Sequence, residues 1–202
     1  MQLVGMLDSP YVRRVAISLR LLDLPFEHKP VSVFSTFAEF HAINPVVKAP
    51  TLVCDNGVVL MESGLILDYV ETLARRSLMP ADPGRRQHAL RLTGLALAAC
   101  EKTVQIVYER NLRPADKQHE PWIGRVQGQL LAAYSALEAE LAGAALPADE
   151  RLLSQADVTT AVAWSFTRMM LPESVDARAY PALASFSAAA ERLAAFKDTP
   201  QT

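Results

Sequence analysis

The texture of the chain changes once along its length, and no other feature constrains the fold as much. Up to about Leu73, short apolar runs alternate with helical patterns at close intervals, which is the pattern of an α/β unit. Beyond Pro83 every long segment reads as helix, rich in Ala and Leu and almost free of strand-like alternation. Between them, Ser77-Leu78-Met79-Pro80-Ala81-Asp82-Pro83-Gly84 has the Pro, Gly and Asp content of a linker. Asp82-Pro83 is also a good cap and first-turn pair for the helix that follows. The expected organisation is a domain over residues 1–76, a linker over 77–84 and an all-helical domain over 85–202.

Within the first part, residues 3–7 read as a strand and residues 10–22 as a helix. Val12, Val15, Leu19 and Leu22 share one side of that helix, and Arg13, Arg14 and Arg20 avoid it. A second strand is expected over 26–31 and a short helix over 37–43, ending before Asn44-Pro45. Residues 51–54 and 58–61 flank the compact turn Asp55-Asn56-Gly57. Ser63 then opens a helix whose core side is read as Leu65, Ile66, Tyr69, Val70 and Leu73. The order β-α-β-α-β-β-α is that of the thioredoxin fold. In the second part helices are expected over 85–112, 120–141, 156–171 and 181–196. The third carries no charge between Asp157 and Arg168, so it is expected to be buried within the bundle.

Composition narrows the function classes. The formal net charge is −2, from 20 Lys and Arg against 22 Asp and Glu, which gives no reason to seek nucleic acid or an anionic membrane. Arg13-Arg14 and Arg85-Arg86 are only pairs, read as solvated helix faces. The two cysteines, Cys54 and Cys100, allow neither a disulfide framework nor a four-ligand zinc site. There is no leader-like pattern at the start and no run near the roughly 20 apolar residues of a membrane helix, so the cytoplasm is the expected compartment.

Three short constellations carry chemistry. Ser9-Pro10-Tyr11-Val12-Arg13-Arg14-Val15 sits where a strand hands over to a helix. Ser is a preferred N-cap and Pro a preferred first helical residue. The same hydroxyl, at a positive helix end, can donate a hydrogen bond to a bound thiolate, and the two roles are compatible. Lys48-Ala49-Pro50-Thr51 places a proline directly before a strand. With a hairpin following, it predicts a cis Ala49–Pro50 bond that turns the Ala49 backbone outward, where an extended peptide can pair with it. Glu62-Ser63 lies at a strand end and a helix start. Ser63 is read as the cap there, with Glu62 a solvated acid near the N-terminus. The helix end also offers N–H groups to a carboxylate and Glu62 offers charge to an ammonium, which together suit a free α-amino acid group.

Taken together, Ser-Pro-x-x-Arg-Arg-Val, Lys-Ala-Pro some forty residues on and Glu-Ser a dozen further resemble the cytosolic glutathione transferases, closest to the serine-type members of the tau class and related bacterial proteins. Leu153-Ser154-Gln155-Ala156-Asp157-Val158 resembles the family's capping box and staple before a buried helix, and Tyr180-Pro181-Ala182-Leu183 its closing segment. The fold implied is an α/β thioredoxin-like N-terminal domain followed by an all-α C-terminal domain. The function implied is conjugation of the glutathione thiolate to a small hydrophobic electrophile by a homodimer, in detoxification, with glutathione as co-substrate and no metal or further cofactor.

By that resemblance Ser9 activates the sulfur, Ala49 pairs by backbone with the cysteinyl unit, Glu62 and Ser63 hold the γ-glutamyl end, and Lys48 faces the glycyl carboxylate. A second basic residue, common in the family on the short second helix, is missing at Ser35-Thr36-Phe37; His41 nearby is read as an ordinary surface residue. Glu101 is the candidate for an acid reaching across a dimer. Tyr11, Phe34, Tyr108 and Asn111 are candidates for the second substrate in a cleft between the domains. Trp164 is read as packing, and Cys54 and Cys100 as inert. Two other readings use the same first domain: a non-enzymatic glutathione-binding or protein-interaction module, and a glutathione-dependent isomerase or dehalogenase. Thiol exchange of the glutaredoxin kind is disfavoured by Ser rather than Cys at position 9.

Overall fold

The computed structural model describes residues 1–201, which divide into two compact units. The first comprises Met1–Met79, the short segment Asp149–Leu153 and the chain from Arg192 onward; the second comprises Pro80–Ala148 and Ser154–Glu191.

In the first unit the order is β1 (Gln2–Val4), α1 (Pro10–Leu21), β2 (Glu27–Lys29), α2 (Phe37–Ile43), β3 (Thr51–Val53), β4 (Val59–Met61) and α3 (Ser63–Glu71). The strands form one mixed sheet in the order β2-β1-β3-β4. β1 runs parallel to β2 and antiparallel to β3, and β3 is antiparallel to β4. Leu3 and Val4 point to opposite faces of the central strand and both are fully buried, so both faces are covered. On one face Val4 packs with Val31 and with Phe40 of α2.

Helix α1 is more buried than its apolar stripe predicts. Arg13 and Arg14, read from sequence as solvated, are both buried. Arg13 Nε donates to Thr199 O at 2.9 Å, and its guanidinium lies 5.7 Å from the centre of the Phe196 ring. The partners of Arg13 come from α8 (Ala194–Lys197) and the residues just after it, nearly 190 positions away, so no local pattern announces them. Helix α3 also differs from expectation. Ile66, Leu67 and Val70 form its buried side, whereas Leu65 and Leu73 are exposed. The true inner stripe is rotated by one position from the predicted one.

The second unit holds α4 (Pro83–Asn111), α5 (Glu120–Leu141), α6 (Gln155–Met170) and α7 (Pro181–Ala190). Asp82 Oδ1 caps α4 by accepting from Arg85 N at 2.8 Å. Helix α6 is buried along eleven of its sixteen residues and packs against α4 and α7. Its start is a capping box: Ser154 Oγ accepts from Asp157 N at 3.3 Å, and the Asp157 carboxylate accepts from Ser154 N at 2.7 Å. Trp164 packs edge-on against Tyr134 at 5.2 Å, as a core residue. The last predicted helix, 181–196, is two pieces. Helix α7 ends at Ala190, and Leu193 is extended (φ −74°, ψ 152°) before α8 begins.

Candidate functional site

Sheet register brings the three constellations to one end of the first unit. Thr51 pairs with Val4 on one side and with Met61 on the other. The connections that begin after Val4, end before Thr51 and begin after Met61 therefore leave the sheet together. They contain Ser9, Lys48–Pro50 and Glu62–Ser63 respectively.

Ser9 is the N-cap of α1, half-buried, with Pro10 as the first helical residue. Its Oγ accepts from Val12 N at 3.5 Å, a long contact that leaves the hydroxyl weakly committed. Asp8, just before it, has its carboxyl held above the usual range by desolvation, opposed by a hydrogen bond from the Ser9 backbone. Gly5 opens this connection at φ +139°, and a Cβ there would lie 2.6 Å from Val12 Cγ2 and 3.3 Å from Ala49 Cβ. The bare backbone lets the β1–α1 connection pass close to both α1 and the loop before β3.

The Ala49–Pro50 bond is cis. Pro50 is buried, Ala49 half-buried and Lys48 exposed. Asn44 fixes the loop from below: its Nδ2 donates to Thr51 Oγ1 at 2.8 Å, its Oδ1 accepts from Val46 N at 3.1 Å, and Thr51 Oγ1 donates to Lys48 O at 2.7 Å.

At the start of α3 the roles of the two residues are exchanged relative to the sequence reading. Glu62, not Ser63, is the N-cap, with Oε1 accepting from Leu65 N at 2.8 Å. It adopts φ +32°, the left-handed region that costs an ordinary residue energy and recurs at binding sites. Ser63 is the first helical residue and is buried, and its Oγ accepts from Arg14 Nη1 at 2.9 Å. Ser63 Oγ thus accepts from a cation, and its hydroxyl hydrogen is left to donate to a further acceptor. At Gly64, next in the helix, an added Cβ would lie 2.8 Å from Glu62 Oε1, the movable end of the capping side chain. The tie from Arg14 to Ser63 is absent from the sequence reading, which took Arg14 as solvated. The available signal was an arginine pair in a twelve-residue helix that contains no acid to pair with it.

Among the other candidates, Tyr11 is half-buried in the first turn of α1 and Phe34 is 56% exposed. Tyr108 lines a concavity of the helical unit; Asn111 is exposed and does not line it. Glu101 is exposed and its Oε1 accepts from Lys102 Nζ at 3.1 Å and Gln105 Nε2 at 2.7 Å. His41 is exposed and stacks on Phe37 at 6.0 Å. Cys54 and Cys100 are buried free thiols. No group of three or more metal-ligating side chains occurs among the described residues, and no helix there is long and apolar enough to cross a membrane.

A mixed four-stranded sheet in this order, wrapped by α1, α2 and α3 with a cis proline entering β3, defines a thioredoxin-like domain, here followed by a helical unit. Residues 3–78 match the glutathione S-transferase N-terminal domain family. Glutathione S-transferase U6 of Arabidopsis thaliana is 29% identical over 143 residues, covering 70% of this chain and 60% of the relative. An uncharacterized GST-like protein of Escherichia coli K12, YibF, is 28% identical over 176 residues and covers 85% of both chains. The crystal structure of a glutathione S-transferase from Methylobacterium radiotolerans, in complex with glutathione sulfonate, superposes with a TM-score of 0.87 at 27% identity, over 98% of this chain and 93% of that one. Residues 3–78 thus belong to the glutathione S-transferase N-terminal domain family, and the chain as a whole resembles glutathione S-transferases in sequence and fold.

Proposed function

We propose that the chain is a glutathione transferase that joins the glutathione sulfur to a small hydrophobic electrophile. The observation that carries this reading is the register Val4–Thr51–Met61, which sets Ser9, the cis Ala49–Pro50 bond and Glu62–Ser63 at one end of the sheet. Glutathione sulfonate in the Methylobacterium relative supports the same ligand class here.

In this reading the γ-glutamyl end meets the start of α3. Its carboxylate takes the Ser63 hydroxyl and the helix N–H groups, and its ammonium takes the Glu62 oxygen not engaged by Leu65 N. Ala49 pairs with the cysteinyl backbone and Lys48 faces the glycyl carboxylate. Ser9 donates to the thiolate. Lowering a free thiol's pKa of about 8.5 by about 2 units requires roughly 2.7 kcal/mol. One hydrogen bond to a charged group supplies about 1.5–3 kcal/mol and a helix N-terminus about 0.3–1 kcal/mol, which covers that amount. The thiolate then attacks an electrophilic carbon; a thioether forms as the leaving group departs with the electron pair. Tyr11, Phe34, Tyr108 and Asn111 are proposed electrophile contacts on the family resemblance. A cytoplasmic homodimer acting in detoxification completes the reading on the same basis.

Calorimetric titration with glutathione, followed by assay of thioether formation from several electrophile classes, tests it. Saturable binding with turnover on at least one class is expected. Absence of glutathione binding by the folded protein would sink it.

A further inference from the structure

We propose that Arg14 is a positioning residue for glutathione: acting through Ser63, it makes the start of α3 select a carboxylate at the γ-glutamyl end. The inference rests on the reading of Glu62 and Ser63 as the γ-glutamyl clamp, and it adds the residue that sets the clamp's preference.

An arginine side chain offers N–H donors and no acceptor, and it keeps its charge in proteins. Arg14 is 3% exposed and Ser63 2%, and Arg14 Nη1 donates to Ser63 Oγ at 2.9 Å. A serine hydroxyl ordinarily rotates to serve as donor or acceptor as its surroundings require. Beside Arg14 its oxygen can only accept, so the O–H is left as a donor toward any other neighbour. Among the described residues it donates to none. A buried donor without an acceptor carries a desolvation cost, and an arriving acceptor removes it.

The surroundings narrow that acceptor to an anion. Glu62 takes two N–H groups of the first turn of α3, Leu65 N on its Oε1 at 2.8 Å and Ile66 N on its backbone oxygen at 3.0 Å. The N–H groups of Ser63 and Gly64 have no acceptor among the described residues. Three donors thus stand at the positive end of the helix, and one of them is backed by a guanidinium. A carboxylate is charged and only accepts, so it gains from every one of these groups. A carboxamide of the same size accepts through one oxygen, brings an NH₂ group among donors and gains nothing from the charge. Glu62 repels a carboxylate and attracts an ammonium, which orients the amino-acid head with its carboxylate toward Ser63. At the other end of the tripeptide the proposed glycyl contact is Lys48, which is exposed, and an exposed charge discriminates weakly.

The probes are two isomeric monoamides of glutathione, one with the γ-glutamyl α-carboxylate converted to a carboxamide and the other with the glycyl carboxylate converted. Their net charge is the same, so the ratio of their dissociation constants reports which end the protein reads. Both are titrated into the full chain by calorimetry, with glutathione itself in parallel. Wild type is expected to bind the γ-glutamyl amide at least about tenfold more weakly than the glycyl amide. In Arg14→Met that ratio should fall at least about fivefold, and Ser63→Ala should lower it likewise. Because Arg14 acts through Ser63, adding Arg14→Met to Ser63→Ala should shift the ratio by less than about twofold. An Arg14 that only supports the fold would weaken both isomers together and leave the ratio where it was. That result overturns the proposal, as does a further full fall in the double variant. Arg14→Gln, neutral but still able to offer an N–H, is measured alongside and decides the matter if Arg14→Met does not fold. Its ratio should fall because the charge is gone, and an unchanged ratio overturns the proposal. Failure of glutathione to bind the folded wild type defeats the transferase reading and this one together, whereas glutathione binding with a ratio indifferent to Arg14 defeats this one alone.

Discussion

Arg14 Nη1 donates to Ser63 Oγ across 2.9 Å, and both residues are almost fully buried. The contact ties α1, the helix that presents Ser9, to the first residue of α3, and adds a charged hydrogen bond to the packing between the two helices. Hydrogen bonds to charged groups contribute about 1.5–3 kcal/mol, and residues in direct contact do not behave additively. A double-mutant cycle with Arg14→Met and Ser63→Ala is therefore expected to show a coupling of about 1.5–3 kcal/mol in denaturant-unfolding stability. Glutathione affinity should fall in both single variants. Additive stability losses would show that the contact does not link the two helices.

How far the sequence exposes this arrangement depends on the range of the interactions involved. The β-α-β-α-β-β-α order of the first 76 residues, the turn Asp55-Asn56-Gly57 and the cis Ala49–Pro50 bond follow from local patterns, and all are present. Ser154 and Asp157 were legible for the same reason, since a capping box is set by a three-residue spacing. Arg13 and Arg14 were misread because charge defaults to solvent, while their partners Thr199, Phe196 and Ser63 lie 49 to 186 positions away. The inner stripe of α3 was placed one residue off because a nine-residue helix gives a weak periodic signal. The sequence singled out the three segments that leave one end of the sheet, but not which of Glu62 and Ser63 caps α3. That Glu62 caps and Ser63 is buried follows from a positive φ at Glu62, which no side chain pattern announces.

Gly64→Ala separates binding from stability. Alanine is a better helix former than glycine by about 1 kcal/mol, which by itself would stabilise α3. The added Cβ, however, would stand 2.8 Å from Glu62 Oε1 and push that carboxylate off Leu65 N, costing about 0.5–2 kcal/mol of capping. The two effects nearly cancel, so a melting temperature within a few degrees of wild type is expected. Glutathione affinity should fall at least several-fold, because the displaced carboxylate is the proposed ammonium contact. Unchanged affinity in a calorimetric titration would remove Glu62 from the clamp.

Asp157→Ala addresses the folding of the helical unit alone. The carboxylate accepts from Ser154 N at 2.7 Å and from Ser154 Oγ at 2.7 Å, at the entrance to the most buried helix of that unit. Loss of the cap is expected to cost about 0.5–2 kcal/mol, read as a lower melting temperature, with glutathione affinity preserved below the transition. Normal stability combined with lost turnover would assign Asp157 a role in chemistry instead.

Ser9→Ala tests the proposed catalytic group, where capping and chemistry share one hydroxyl. The capping contact to Val12 N is long, at 3.5 Å, so its loss should cost toward the low end of the capping range, about 0.5 kcal/mol. If the same hydroxyl donates to the glutathione thiolate, its removal forfeits a hydrogen bond to a charged group, about 1.5–3 kcal/mol, or about 1–2 units in the apparent pKa of the bound thiol. The sign is fixed by which form is stabilised: the wild-type hydroxyl favours the anion, so the bound thiol titrates below the free one, and the variant's titration moves to higher pH. At neutral pH the variant then holds less thiolate and turns over more slowly, while affinity stays close to normal because Glu62 and Ser63 are untouched. Raising the pH should recover part of the lost rate. Ultraviolet absorbance of the bound thiolate across pH, in wild type and Ser9→Ala, reads the shift directly. Superimposable curves would leave Ser9 as a helix cap and nothing more.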